Sequence, residues 1–233
     1  MAEVVSTSAL LRFGPIAISE TVVTTWALML VMTAAAWAVT RRLRLGNPGL
    51  LQSAAEGAVL AIRKAVDDVV PDHSAQLLPF VGALWLFIAV ANLAGVVPGV
   101  HSPTADLSTT SALALVVFLS VHWFGIRTDG LRSYLRHYLS PSPILLPFHL
   151  ISELTRTVAL AMRLFGNIMS LEMAAVLVLL VAGFLVPVPL LMLHIVEALV
   201  QAYIFGMLAL VYIGGALEVQ QSHLESKQGD KAS

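Results

Sequence analysis

Charge is what this sequence has least of. Only 12% of its 233 residues are charged and 58% are hydrophobic, with a mean hydropathy of +0.86. Soluble domains carry about 25% charged residues, so this composition excludes a water-soluble globule, a disordered chain, a coiled coil and a nucleic-acid-binding protein. The surface must face lipid, and we predict an integral membrane protein.

Cysteine is absent altogether, which excludes disulfides, thiolate metal sites and a cysteine nucleophile. The net charge of −1 offers no global field for a charged partner. We expect neither a metal site nor a cofactor. Met1–Glu20 lacks a basic start, and its apolar run Ala9–Ile18 is broken by Arg12, Gly14 and Pro15, so we do not interpret it as a signal peptide.

Long apolar stretches are what the sequence has instead. About 20 apolar residues are needed for a helix to cross a hydrocarbon core of about 30 Å. The predicted crossings are residues 21–40, 77–97, 107–126, 144–186 and 190–217. Asn92 is the only clearly polar residue of the second crossing, which forms a hairpin with the third.

A different pattern separates the first two crossings. Residues 48–70 place apolar and polar side chains on opposite sides of a helix, which predicts an amphipathic helix lying on the membrane surface. The fold class is therefore an all-α integral membrane protein with five membrane-crossing helices and one surface helix. We expect a single membrane domain over residues 1–233, ending in a polar cytoplasmic tail, residues 218–233.

The last two apolar stretches are too long for simple crossings. About 40 residues make a helix of roughly 60 Å, twice the thickness of the hydrocarbon core. Such helices must be steeply tilted or run partly along the surface. Because Pro187 and Pro189 interrupt the sequence between them, we predict a long, strongly tilted antiparallel hairpin.

Basic residues set the predicted orientation. With five crossings, the segments Arg41–Lys64, Arg127–Arg136 and Lys227–Lys231 all fall on one side. The positive-inside rule makes this side cytoplasmic. We expect a multi-pass protein of the bacterial inner membrane with its N-terminus outside and its C-terminus in the cytoplasm.

Six polar side chains lie at membrane depth in the last hairpin. Such residues are functional hypotheses by default, because charge at this depth is costly. In an antiparallel pair of helices, residues at equal depth have numbers with a constant sum. This count places Glu172 level with His194, and nearly the same sum pairs Arg163 with Gln201 and Asn167 with Glu197. The residues are Arg163, Asn167, Glu172, His194, Glu197 and Gln201.

Three interpretations of this polar track remain open on physical grounds. It could be an ion pathway, a set of structural pairs in which Glu172 or Glu153 neutralises Arg163, or the solute site of a transporter. Within an ion pathway Arg163 could not relay a proton, because a guanidinium does not deprotonate in proteins. It would act as a fixed positive charge.

Three segments resemble a known family. Glu153–Glu172 reads ELTRTVALAMRLFGNIMSLE, and its core Arg163–Asn167 resembles the signature of subunit a of the F-type ATP synthase membrane sector. His194–Tyr212 is similar to the last helix of that family, and Asn92–Leu115 to its second and third crossings with their loop. The similarity extends from about Pro79 to Tyr212.

Five positions depart from the family pattern and indicate a divergent branch. Thr157 stands where proline is common, and Ala159 where serine is common. Ser170–Leu171 replaces a small Ala-Gly pair, and Glu197 is an additional acid. None of these changes removes the arginine.

The resemblance implies a stator channel beside a rotating ring of c subunits, assembled with subunit b of the peripheral stalk and the rest of the synthase. Two offset half-channels would load and unload the ring carboxylates, while Arg163 discharges them and blocks leak. The chain itself would have no catalytic site. We expect H⁺ as the coupling ion; the same subunit in a Na⁺-translocating ATPase, or less plausibly a secondary transporter, is the alternative.

The resemblance also assigns roles along the path. Five residues belong to the outer half-channel and its junction with Arg163. At this junction Gln201 either orients Arg163 by a hydrogen bond or is a polar side chain with a packing role only. They are Asn167, Glu172, His194, Glu197 and Gln201. Glu153 is the candidate for the inner mouth, and Asp106 lines the outer entrance or caps the third crossing. His122 and His149 are interpreted as interfacial residues.

The sequence lacks the usual features of two other classes of protein. Secondary transporters tend to carry inverted repeats, and the sequence shows no internal repeat. Intramembrane enzymes are disfavoured because neither H-E-x-x-H nor G-x-S-x-G occurs.

Overall fold

The computed structural model describes residues 9–13, 16–41, 43, 49–97, 100–130, 146–182 and 187–232. These residues are almost entirely helical. The helices are α1 Glu20–Arg41, α2 Leu50–Val69, α3 Ser74–Ala94, α4 Leu107–Asp129, α5 Leu146–Ala182 and α6 Pro187–Ala232. Short 3₁₀ turns, Pro71–His73 and Pro103–Ala105, precede α3 and α4.

Five helical stretches of the described residues are long and apolar enough to cross a membrane. They are Glu20–Arg41, Pro71–Ala94, Leu107–Arg127, Leu150–Val181 and Pro189–Gly215. With α2 as the sixth helix, the predicted all-α membrane fold is confirmed. An additional feature, not anticipated from the sequence, is an antiparallel pair of strands, β1 Ala9–Phe13 and β2 Ile16–Ser19, in which Phe13 pairs with Ile16.

Helix α2 has the two faces expected of an amphipathic helix. Ile62 and Val66 are buried and belong to the main core, and α2 packs on α3 and α6. On the exposed face, Arg63 and Asp67 lie one turn apart with their nearest N and O atoms 3.7 Å from each other. Residues 44–48, where the sequence predicts the start of this helix, lie outside the described residues.

The last two helices are long, as predicted: α5 has 37 residues and α6 has 46. At 1.5 Å per residue they span about 55 Å and about 69 Å. Helix α6 begins at Pro187 because proline is tolerated in a first turn, where its missing N–H has no helical partner to lose. Its backbone stays helical through the polar tail to Ala232.

Helix α3 lies at the centre of the bundle. Its fully buried side chains are Leu77, Val81, Ile88, Ala91 and Asn92. Helix α6 packs more extensively on α3 than on α5, and α5 packs more extensively on α4 than on α6. The last two helices therefore touch each other, but each has its main partner in the preceding hairpin. Helix α1 has no buried residue, as expected of a helix that faces lipid.

The contact between α3 and α6 depends on one missing side chain. A Cβ atom at Gly206 would lie 2.6 Å from Cδ2 of the Trp85 indole ring, closer than real Cβ contacts. The Trp85 ring also packs against Tyr203, with ring centroids 5.4 Å apart. Glycine at this position lets the two helix backbones approach closely.

We predict that Gly206→Ala destabilises the bundle by about 1–3 kcal/mol, the usual cost of overpacking a core. Gly215→Ala is the matched control, since a Cβ atom there would meet nothing within 4 Å. Thermal unfolding of the purified protein in detergent measures both. Equal midpoints for the two variants would contradict the close α3–α6 contact.

Candidate functional site

A buried polar network joins the end of α3 to the loop before α4. The Asn92 side chain is fully buried; its Nδ2 donates to the Ala198 carbonyl of α6 at 3.2 Å, and its Oδ1 accepts from the Thr104 hydroxyl at 2.7 Å. The Ser102 hydroxyl donates to the Ala91 carbonyl at 2.9 Å and touches Oγ1 of Thr104 at 2.6 Å. Buried polar groups need such partners, so this network fixes the loop against α3 and α6.

Glu172 and His194 converge on this network from α5 and α6. Oε1 of Glu172 accepts from the backbone N–H of Ser102 at 2.9 Å, and its Oε2 lies 3.9 Å from Nδ1 of the exposed His101. The buried His194 places Nε2 3.3 Å from the Asn92 carbonyl oxygen. Because a carbonyl can only accept, Nε2 carries the proton.

Gly95 makes room for the two ionisable side chains. A Cβ atom at this position would lie 3.1 Å from Oε1 of Glu172 and 3.2 Å from Cε1 of His194. The depth argument from sequence thus brings together the right pair. The loop residues around them were missed, because nothing in the sequence shows which way a loop folds back.

Asn167 and Gln201 form the next polar contact along the α5–α6 interface. Asn167 Nδ2 donates to Oε1 of Gln201 at 2.8 Å. Gln201 is buried, and its Nε2 has no hydrogen-bond partner among the residues that the structure describes. The sequence predicts instead that Gln201 meets Arg163. The register differs by one helical turn, because equal-depth pairing assumes parallel axes whereas each of these helices follows a different neighbour.

Arg163 is exposed on the surface of α5. Within the described residues its guanidinium has no hydrogen bond or ion pair. The two carboxylates that could have neutralised it are engaged elsewhere, Glu172 with Ser102 and Glu153 with His122. The structure therefore does not show the structural pairing that the sequence left open.

A second polar site lies nearer the start of α5. Oε2 of Glu153 lies 3.7 Å from Nε2 of His122 on α4, and both side chains are largely buried. Glu153 also lines a small pocket between α4, α5 and α6. The Arg156 guanidinium stacks 4.8 Å from the centroid of the Tyr212 ring at the same pocket.

The remaining predicted residues have simpler surroundings. Asp106 is the N-cap of α4, where its carboxylate accepts from the backbone N–H of Ser108 at 2.9 Å. This is the capping role that the sequence left open for Asp106. Glu197 is partly buried, and no ion pair or hydrogen bond to it occurs in the part of the chain that the structure describes.

Several residues of the site escape sequence reasoning. They are Gly95, His101, Ser102, Thr104 and His122. Asn92 alone gave a signal, as the single polar residue of an otherwise apolar crossing.

Comparison with known proteins gives a consistent result. The family model described as ATP synthase A chain matches residues 22–214. The chain is 64% identical over 223 residues to ATP synthase subunit a 2 of Pelobacter propionicus, covering 96% of this chain and 97% of the relative. It is 64% identical to ATP synthase subunit a 1 of Hahella chejuensis over 92% and 91% of the two chains. It is 54% identical to ATP synthase subunit a of Legionella pneumophila over 93% of each.

Fold and site together define a multi-pass helical membrane protein with ionisable side chains gathered inside its bundle. The chain belongs to the family of the ATP synthase A chain, subunit a, which is the ion-channel subunit of the Fo membrane sector. The resemblance inferred from the R-L-F-G-N segment is thereby confirmed.

We predict that Asn92→Ala destabilises the protein by about 1–3 kcal/mol, since it removes the buried hydrogen bonds of the Asn92 side chain to the Thr104 hydroxyl and the Ala198 carbonyl. Combining it with Thr104→Val should cost less than the sum of the single changes, because both act on one network. Thr33→Val is the control, as it removes only an exposed bond within α1. Thermal unfolding in detergent tests this, and strict additivity would argue against a shared network.

Proposed function

We propose that this chain is the stator subunit that loads and unloads the carboxylates of a c-subunit ring through two offset half-channels, with H⁺ as the coupling ion. Arg163 is the fixed charge that discharges the ring sites and blocks direct leak. The observation that carries this proposal is the exposed guanidinium on a membrane-crossing helix without a described partner.

A permanent cation at membrane depth requires a counter-charge. Arginine cannot become neutral by losing its proton, and unpaired charge in the hydrocarbon region is costly. The described residues of this chain supply no carboxylate to Arg163, which favours a partner from another subunit. A carboxylate carried past by a ring of neighbouring subunits meets this need.

The surface around Arg163 suits a close and moving neighbour. Ala159, Gly166 and Ser170 lie four, three and seven residues away and fall on the same side of the helix as Arg163. A Cβ atom at Gly166 would meet nothing within 4 Å, so this surface is open. Short side chains let a helix of another subunit approach without interlocking.

The energies involved are of the right size for reversible coupling. Two charges 4 Å apart attract by about 4 kcal/mol at an effective dielectric constant of 20. Moving one charge through 100 mV supplies about 2.3 kcal/mol. Because these energies are comparable, Arg163 can stabilise an ionised ring carboxylate and still let it leave when the ion is replaced.

The outer half-channel comprises Glu172, His194 and the Asn167–Gln201 pair, with Glu197 beside them. The contact of Glu172 with Ser102 in the loop before α4 and that of His194 with Asn92 near the end of α3 support this assignment, because they place ionisable groups where loop and helices meet. The unpartnered Nε2 of Gln201 marks a polar position beside the path. We keep Asp106 as a residue of the entrance, with its capping role in addition.

The inner mouth is at Glu153. Glu153 lies ten residues before Arg163 and Glu172 nine residues after it, which places them about 15 Å and about 13 Å away along the helix axis in opposite directions. At 100° per residue the two carboxylates also project from different sides of α5. This separation supports two half-channels that do not meet except through the ring.

Location and orientation complete the proposal. We place the chain in the bacterial inner membrane with the N-terminus outside and the C-terminus in the cytoplasm, in contact with the c ring and subunit b. Helix α1 ends at Arg41, whose guanidinium lies 3.9 Å from the centroid of the Trp37 ring, and α4 has Arg127 in its last turn. Such pairs of aromatic and basic residues favour the interface on the cytoplasmic side.

We predict that Arg163→Ala abolishes ATP-driven ion pumping by the reconstituted complex. Loss of about 4 kcal/mol corresponds to roughly a thousandfold, which is below detection in a vesicle assay. Arg163→Lys should retain only a small part of the activity, because its ammonium lacks the planar fork of donors. Arg63→Ala, which breaks only the exposed contact with Asp67, is the control. Pumping by assembled Arg163→Ala complexes would refute the proposed function.

We predict that the ATPase activity of the coupled complex at fixed pH is the same with and without Na⁺, and that ATP hydrolysis acidifies the vesicle lumen. Collapse of this gradient by a protonophore is the companion measurement. Stimulation by Na⁺, with pumping that a protonophore does not abolish, would assign Na⁺ as the coupling ion instead.

A further inference from the structure

His122 and Glu153 form a close pair of ionisable groups between α4 and α5. Their nearest N and O atoms are 3.7 Å apart, and the side chains are only 27% and 18% exposed. From sequence, His122 was interpreted as an interfacial residue. The structure instead turns its imidazole inward, toward a carboxylate on the neighbouring helix.

The hydrogen bonding of His122 fixes the position of one proton. Its Nδ1 lies 2.9 Å from the carbonyl oxygen of Phe118. A carbonyl only accepts, so Nδ1 must carry a hydrogen. In a neutral imidazole Nε2 is then bare and directs a lone pair toward the Glu153 carboxylate. A proton on one of the two groups turns this contact into a favourable one.

The pair is therefore suited to holding one exchangeable proton. The proton resides on Nε2 of His122 as an imidazolium, or on Glu153 as a carboxylic acid, and the charge of the pair is the same in both cases. The pocket that Glu153 lines has a volume of about 20 Å³, enough for about one water molecule beside the carboxylate.

One positive charge lies at the pocket beside the pair. Besides Glu153, the ionisable side chains lining this pocket are Arg156 from α5 and Tyr212 from α6, and the rest of the lining is apolar or, at Thr157, a hydroxyl. The Arg156 guanidinium stacks on the Tyr212 ring there. Arg127, one turn beyond His122 on α4, is exposed at the helix end.

The pair lies at the basic end of the bundle. His122 is five residues from Arg127, or about 7 Å along α4, and Glu153 is about 15 Å from Arg163 along α5. The pair is thus between the basic edge, where water and headgroups begin, and the fixed charge near mid-membrane. A proton moving between Arg163 and the cytoplasm passes this depth.

We propose that His122 and Glu153 are one proton-exchange site at the cytoplasmic mouth of the inner half-channel; this rests on the proposed function. During ATP-driven pumping, the empty pair takes one proton from cytoplasmic water and releases it toward an ionised ring carboxylate, which becomes neutral. During synthesis the same proton moves in reverse. Helix α4 thereby contributes a wall and an ionisable group to the channel.

The test uses His122→Gln and Glu153→Gln in the complete complex reconstituted in vesicles. The initial rate of ATP-driven acidification is measured over a range of external pH. We expect a loss of acidification rate that grows with pH, to roughly tenfold at alkaline pH. Removing a proton relay typically costs at least about a hundredfold when proton transfer alone limits the rate. The loss is smaller here because proton uptake limits only part of the cycle. At mildly acidic pH free protons are plentiful, and the rates should converge on that of the unchanged complex.

Three further variants separate proton exchange from structure. The double variant should be no slower than either single variant, because both remove the same site. The exchanged pair His122→Glu with Glu153→His keeps one imidazole and one carboxylate, so it should recover much of the alkaline rate. His73→Gln and Asp67→Asn, which change ionisable residues outside the pocket, should leave the pH profile unchanged.

Different results would overturn the inference. Unchanged pH profiles, a uniform loss at every pH, or additive losses in the double variant would each show that the pair does not exchange the transported proton. The amount of assembled complex is measured for every variant, so that a rate is compared per complex. Arg163→Ala in parallel tests the channel itself: its inactivity, together with silent His122 variants, would reject this site and keep the proposed function.

Discussion

A permanent charge in an apolar environment must have a counter-charge, and the rest of this structure can be understood from that constraint. Arg163 is exposed on a membrane-crossing helix, and the described residues provide no anion for it. The carboxylates nearest in sequence, Glu153 and Glu172, are held by other partners on other sides of α5. The described carboxylates of the fold therefore do not contact Arg163. This is consistent with a partner that belongs to another subunit and binds Arg163 only transiently.

Keeping those acids in place requires structure of its own. Glu172 is positioned by a backbone N–H of Ser102, and the loop carrying Ser102 is fixed by the fully buried Asn92. Asn92 in turn donates to α6 next to His194. The loop between α3 and α4 therefore links the two halves of the outer site, and Gly95 and Gly206 supply the close approach that this arrangement needs.

Composition and periodicity were sufficient for the helices, because apolar length and amphipathic spacing are properties of one segment at a time. The pairing of Glu172 with His194 also followed, since depth along two antiparallel helices can be counted. The partner of Gln201 and the contact of His122 with Glu153 did not follow. Both depend on which helices are lateral neighbours and at what angle they cross, and side-chain packing across the whole bundle decides this. The strands β1 and β2 were missed for a different reason. Gly14 and Pro15 were interpreted only as interruptions of an apolar run and not as a turn between two strands.

The identity of the fixed charge follows from the same constraint. A lysine at position 163 could relieve its isolation by giving up a proton, and a neutral amine would neither attract a ring carboxylate nor repel a cation. An arginine has no such escape, so its charge persists while the partner carboxylate is absent. In contrast, the groups we assign to the half-channels are carboxylates, imidazoles and amides, which gain and lose protons or orient them. In the proposed mechanism, a channel whose two ends never connect directly thus has ionisable groups at both mouths and, between them, one group whose charge is permanent.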